Sequence, residues 1–284
     1  MKSRFPRRPS ARVLPVPSCR PNCMMKWKTF VIGYALALAL LLFAQHRPEQ
    51  AQPSTFAHIV DLTHSISPSR TPRSQTSQTF LPQPISAVVR YGNSGRAATQ
   101  FATRLEAPAH YAPGLWSVAQ IPPERLFAPL VVIDVSAQAR RNPDYQLTVS
   151  DIAEWEKLRG QIPQGAVVMA RTGWDTRWGS TGAYRNDDSR GVPHFPGFSL
   201  QAARFLVEGR NVVGLGIDTA SVNSGDVSNS FSPVRNYTLS HSVYQIANLA
   251  NLGQAPQIGG LVLVAPAKLQ DSSQAPARVL ALAR

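Results

Sequence analysis

The sequence predicts an α/β domain built on a mixed sheet with flanking helices. Two observations point there. Short aliphatic or β-branched runs bounded by Gly, Pro or Asp recur along the chain, and helical stretches opening on a serine fall between them. In 284 residues that are 43% hydrophobic and 16% charged, one good core is expected.

Taken in order, the stretch His58-Ile59-Val60-Asp61-Leu62-Thr63-His64-Ser65-Ile66 alternates like a short strand. Further strands are expected over 85–89, 130–135, 166–170, 212–217 and 261–264. Helices are expected over 150–157 and 199–208, with Ser150 and Ser199 as N-caps and Gly209 ending the second. A third helix, or a helix followed by a turn, is expected over 237–251. Gly214-Leu215-Gly216 lies inside a strand pattern without a third glycine, so it reads as close backbone packing rather than a nucleotide loop.

The net charge of +13 is concentrated at the N-terminus, where residues 1–50 hold nine Lys or Arg against the single acid Glu49. Twenty bases and fifteen acids remain beyond it, scattered rather than clustered, which argues against nucleic-acid binding. Lys26 and Lys28 followed by the apolar run 30–44 read as a secretory signal or an N-terminal anchor. The run is shorter than the roughly 20 residues of a comfortable membrane span, which favours cleavage. We therefore expect 1–50 to be an extension plus signal peptide, 51–284 to be the folded domain, and the body to be exported. Both cysteines, Cys19 and Cys23, precede the apolar run, so the body carries no thiol for a disulfide, a nucleophile or a metal.

The segment Gln100-Phe101-Ala102-Thr103-Arg104-Leu105-Glu106-Ala107-Pro108-Ala109-His110 resembles the His-x-Gly-Thr-His-x-Asp-x-Pro-x-His signature of the cyclase family that includes bacterial kynurenine formamidases (arylformamidases). Thr103, Pro108 and His110 match outright, while Gln100, Ala102, Arg104 and Glu106 stand where His, Gly, His and Asp are expected. Supporting stretches are Ile121-Pro122-Pro123-Glu124, Thr172-Gly173-Trp174-Asp175, His194-Phe195-Pro196-Gly197 and Gly216-Ile217-Asp218-Thr219. The resemblance implies the swivelling β/β/α fold, assembly as dimers or larger homo-oligomers, and hydrolysis or ring closure of a small amide, ester or carbonyl compound. It also implies a second metal-ligand region, whose two ligand positions here hold Arg235 and Ala247.

The family's ligand set, three neutral histidines and two carboxylates, suits a divalent cation such as zinc or manganese. Gln100, Arg104, Glu106, Arg235 and Ala247 instead sum to one positive charge, and a guanidinium stays protonated at any working pH. No metal or other cofactor is therefore expected. One reading gives Arg104 and Arg235 the metal's place, holding a carboxylate or a developing oxyanion; the other makes Arg104 a structural partner of Glu106. The resemblance assigns His110 the proton-moving role, for which an imidazole is suited. Gln100, Glu106, His64, His194, Trp116 and Trp174 are candidate substrate-binding residues, with Tyr111, Trp178 and Tyr184 nearby. Each aromatic or histidine has a plain alternative as a core or scaffold residue. The expected partner is a small-molecule ligand, turned over by an enzyme or held by a catalytically inactive pseudoenzyme; a purely structural scaffold is the third possibility.

Overall fold

A computed structural model describes residues 56–65, 103–228 and 232–283, all within the compact unit Ser54–Arg284. The N-terminal leader, the expected strand over 85–89 and Gln100 lie outside the described residues. The strands are β1 (His58–Asp61), β2 (Arg104–Glu106), β3 (Phe127–Asp134), β4 (Gln146–Leu147), β5 (Val167–Arg171), β6 (Gly197–Phe198), β7 (Gly214–Ile217), β8 (Tyr244–Ala247), β9 (Gly260–Pro266) and β10 (Gln274–Ala283). The three longest of the described helices are α1 (Val149–Arg159), α2 (Leu200–Arg210) and α3 (Pro233–Ser240).

Eight strands form one mixed sheet in the order β1-β10-β2-β8-β7-β5-β3-β9. Because β9 also pairs with β10, the sheet closes on itself. Period-two alternation then assigns the two faces. Leu130 and Val132 of β3, Met169 of β5, Ile246 of β8 and Val279 of β10 share the inner core. Val131, Ile133, Val168, Leu215 and Ile217 point outward to a second core completed by Ile152 and Trp155 of α1 and Ala203 and Leu206 of α2. The Trp155 indole N–H donates to the Val132 carbonyl at 2.9 Å, fixing α1 against β3.

The local chemistry refines several boundaries. α1 is capped by Thr148 rather than Ser150, because Thr148 and Asp151 exchange the reciprocal bonds of a capping box. Ser199 caps α2 as expected, but the helix continues through Gly209 to Arg210 and ends where Asn211 turns left-handed at φ 50°. The expected helix over 237–251 is corrected more substantially. α3 begins at Pro233, whose ring fits a first helical turn, and ends at Ser240 with His241 as its C-cap. Ser242 then turns left-handed at φ 59°, and Tyr244–Ala247 enters the sheet between β2 and β7. Gly214 and Gly216 serve close packing as expected: a Cβ would lie 2.6 Å from the Tyr244 ring at the first and 2.8 Å from Leu249 at the second.

Candidate functional site

The site lies on the outer face of the closed sheet where β2 runs between β8 and β10. Leu105 points into the inner core, so Arg104 and Glu106 on either side of it project outward. Register places Ala247 opposite Arg104 and Gln245 opposite Glu106 on β8, with Gln274 of β10 opposite Glu106 on the other side. Gln245 donates to the Thr238 hydroxyl and, at 3.3 Å, to the Arg235 carbonyl, which ties α3 over this face.

Arg104 is held at both ends of its guanidinium. Nε donates to Glu106 Oε1 at 3.1 Å, and Nη2 lies 3.0 Å from the same oxygen and donates to the Ala220 carbonyl at 2.8 Å. Arg235 Nη1 lies 3.9 Å from Glu106 Oε2, and its Nη2 donates to Ser232 Oγ at 2.8 Å. The side chains of Arg104 and Glu106 are 11% and 4% exposed, that of Arg235 30%. Burial alone would push the Glu106 carboxyl up, but Arg104, Arg235 and His110 together outweigh it and hold the group below the usual carboxylate range.

That cluster does not fit a divalent cation. Its one carboxylate already serves two guanidiniums, and among the described residues no three His, Cys, Asp or Glu side chains gather as a ligand set. A cation entering here would meet net positive charge in a largely buried place, where repulsion is weakly screened.

His110 ends a short 3₁₀ turn, Pro108–His110, that follows β2 and packs under α3. Its Nδ1 lies 3.1 Å from Ser273 Oγ and its Nε2 3.4 Å from the Gln274 carboxamide nitrogen. The Ala107 N–H donates to the Ser273 carbonyl at 2.8 Å, so the turn and the start of β10 are fixed to each other.

His64 joins the same region through the backbone, its N–H donating to Thr103 Oγ1 while that hydroxyl donates to the Asn248 carbonyl. Its ring stacks on Trp178 with centroids 4.1 Å apart and planes 7° from parallel, and Trp178 meets Tyr184 edge-on. Burial lowers the His64 pKa to about 4, Asp175 and the Leu249 carbonyl pulling the other way. The Tyr184 hydroxyl, 3.0 Å from the Asp218 carbonyl and 2.8 Å from Asn248 Oδ1, links the ends of β7 and β8. Asp218 accepts from the backbone N–H groups of Thr172 and Gly173 and from the Thr172 hydroxyl. Burial still pushes its carboxyl up to about 7.

The remaining candidates separate from this cluster. His194 is clasped by Asp144 at 2.8 Å and approached by Asp188 at 3.8 Å, a carboxylate pair that places its ring in the 186–194 turn. Trp174 is buried in a small cluster with Tyr184 and Phe195, its indole N–H on the Tyr184 carbonyl and Arg177 over its ring. Trp116 packs on the inner core beneath Arg125, though its carbonyl accepts from Ala109 beside His110. Ser273 and Gln274 were not singled out from sequence; Gln274 falls opposite Glu106 only through sheet register, which no local motif encodes.

Residues 60–224 match the family model described as putative cyclase. An isatin hydrolase of Roseibium aggregatum is 34% identical over 188 residues, covering 63% of this chain and 70% of that protein. Among solved structures, isatin hydrolase A from Ralstonia solanacearum is 35% identical with a TM-score of 0.69, covering 80% of this chain and 92% of that one. Isatin hydrolase A from Labrenzia aggregata bound to benzyl benzoate is 34% identical with a TM-score of 0.67, covering 80% and 93%. These relatives narrow the expected arylformamidase likeness to an isatin hydrolase-like one. The matched span, the identities and the shared architecture together establish that this chain belongs to the putative cyclase family.

Proposed function

We propose that this protein is a metal-independent hydrolase of a small amide, ester or related carbonyl compound, with fixed guanidinium charge standing where the family's cation would. The observation that carries the reading is the Arg104–Glu106–Arg235 cluster: two guanidiniums on one buried carboxylate leave one positive charge at the site. Arg104, tied to Glu106 and the Ala220 carbonyl, is the rigid part. Arg235, the more exposed of the two, is the group available to a developing oxyanion. His110 moves the proton: it accepts one as the nucleophile adds to the carbonyl carbon and returns it to the leaving nitrogen or oxygen as that bond breaks. One water is consumed, and a carboxylic acid plus an amine or alcohol results, joined in one molecule when the substrate is a ring. His64 and Trp178 supply a flat aromatic surface next to Thr103.

The relatives named for isatin make that cyclic amide the first substrate to try. Chelator-treated protein should convert isatin, or an aryl amide or ester of similar size, to its carboxylate, and Arg235→Met and His110→Asn should each lower kcat/KM. Activity that appears only when manganese or zinc is restored would refute the metal-independent reading. A second reading is favoured by the closeness of the Arg104–Glu106 pair, which already neutralises one guanidinium: a pseudoenzyme that holds a small carboxylate at Arg235 without turnover. It predicts a carboxylate-dependent thermal shift with no hydrolysis. Export and self-association belong to the same proposal, carried by the leader and by the family resemblance. N-terminal sequencing from the native host should begin between about residues 45 and 55, and native mass should exceed that of one chain.

A further inference from the structure

We infer that Ser273 is the nucleophile of this site, acylated at Oγ with His110 as its base. The inference rests on the hydrolase reading above and deepens it. A metal hydrolase ionises water on its cation. A guanidinium stabilises negative charge but offers no empty orbital to acidify a bound water, so the nucleophile in this chain must be activated by a base.

Ser273 meets the geometric requirements. Its Oγ lies 3.1 Å from His110 Nδ1, within reach of direct proton transfer. Its own backbone is fixed: the Ser273 carbonyl accepts from Ala107 at 2.8 Å and the adjacent Ser272 carbonyl accepts from Val118 at 2.9 Å. The neighbouring hydroxyl of Ser272 is committed to the Gln274 carbonyl at 2.6 Å, whereas Ser273 Oγ faces the imidazole and is only part-buried.

A third group orients the base. The Gln274 carboxamide lies against His110 Nε2, and Gln274 is itself buried, opposite Glu106 in the ladder. In the structure the carboxamide nitrogen faces Nε2; turned over about its last side-chain bond, the amide presents its oxygen instead, accepts the Nε2 proton and leaves the Nδ1 lone pair to Ser273, and that amide orientation is part of the proposal. Glu106 lies close enough to feel the charge of His110, so an imidazolium formed during the reaction is stabilised. α3, carrying Arg235, packs on the turn that carries His110, which puts the oxyanion's partner on the same side.

The step balances without a co-reactant. The Ser273 Oγ–carbonyl carbon bond forms as the hydroxyl proton passes to His110 Nδ1. The carbon–nitrogen or carbon–oxygen bond then breaks, and the leaving atom takes that proton. Water adds to the acyl ester by the same route and restores Ser273.

The test uses the full chain, chelator-treated, with p-nitrophenyl acetate and a fluorophosphonate probe. The expected results are a burst of about one nitrophenolate per chain, an acetyl or phosphonyl adduct mapped to Ser273, and loss of both in Ser273→Ala. Ser273→Ala should lower kcat/KM on the order of a hundredfold or more while leaving the thermal shift by benzoate intact. Ser273→Cys should regain a labelled nucleophile, which shows that the alanine variant had not failed through misfolding. Undiminished hydrolysis by Ser273→Ala would overturn the nucleophile and leave the hydrolase reading standing. If the parent protein gives neither hydrolysis nor an adduct, both fall.

Discussion

Replacing Arg104 by methionine tests the electrostatic core of the site. The contact at 3.0 Å between two largely buried charges corresponds to about 5 kcal/mol of gross attraction at an effective dielectric near 20. Much of that offsets the cost of burying the ions, but removing one partner leaves the other stranded, for which roughly 3–5 kcal/mol is typical. Arg235, already 3.9 Å from Glu106, compensates in part, and the Ala220 carbonyl loses its donor. We expect about 3 kcal/mol of lost stability near neutral pH, read by urea unfolding. The pH dependence has a definite sign. In the parent the folded Glu106 pKa is below its unfolded value, so its stabilisation is present at higher pH and lost on acidification. Without Arg104, burial raises that pKa, so the penalty should grow as pH rises above about 4 and shrink below it. Adding Glu106→Gln should then recover stability at neutral pH by removing the stranded charge. A loss under about 1 kcal/mol, or one independent of pH, would refute the pairing.

Other outcomes follow from the buried polar groups around the site. His64 is lowered to about 4 and Asp218 raised to about 7, so their linkages oppose each other. Stability tied to neutral His64 is lost as pH falls from about 6.5 towards 4, whereas stability tied to protonated Asp218 is lost as pH rises from about 4 through 7. The parent should therefore be nearly flat across this range, while His64→Phe, which keeps the stack on Trp178, should become less stable with rising pH; an unchanged slope would contradict the assignment. Tyr184→Phe should cost about 1–3 kcal/mol, because the buried Asn248 side-chain oxygen loses a donor; thermal unfolding checks it.

Much of the architecture was legible because strands such as β3 and β5 are continuous apolar runs, and α2 announces itself with Ser199. β8 was not, since Tyr237 to Asn251 mixes apolar and polar residues without a glycine or proline to mark the break. The boundary is the left-handed backbone at Ser242, a residue type that seldom adopts it. At the site, the exchanged positions Arg104 and Arg235 were readable from the motif, and so was the pairing of Arg104 with Glu106 as one of two alternatives. The bond from Arg104 to the Ala220 carbonyl, more than a hundred residues away, was not readable from the motif. The pairing of His110 with Ser273 is likewise a product of long-range register.

Calorimetric titration of manganese and zinc into chelator-treated protein, with elemental analysis of the dialysed sample, tests most directly the claim that guanidinium charge has replaced the family's cation. The expected result is no stoichiometric binding to the parent, and the emergence of metal affinity only when Gln100, Arg104 and Arg235 are all replaced by histidine and Ala247 by glutamate. One metal per chain in the parent, lost on Glu106→Ala, would contradict it.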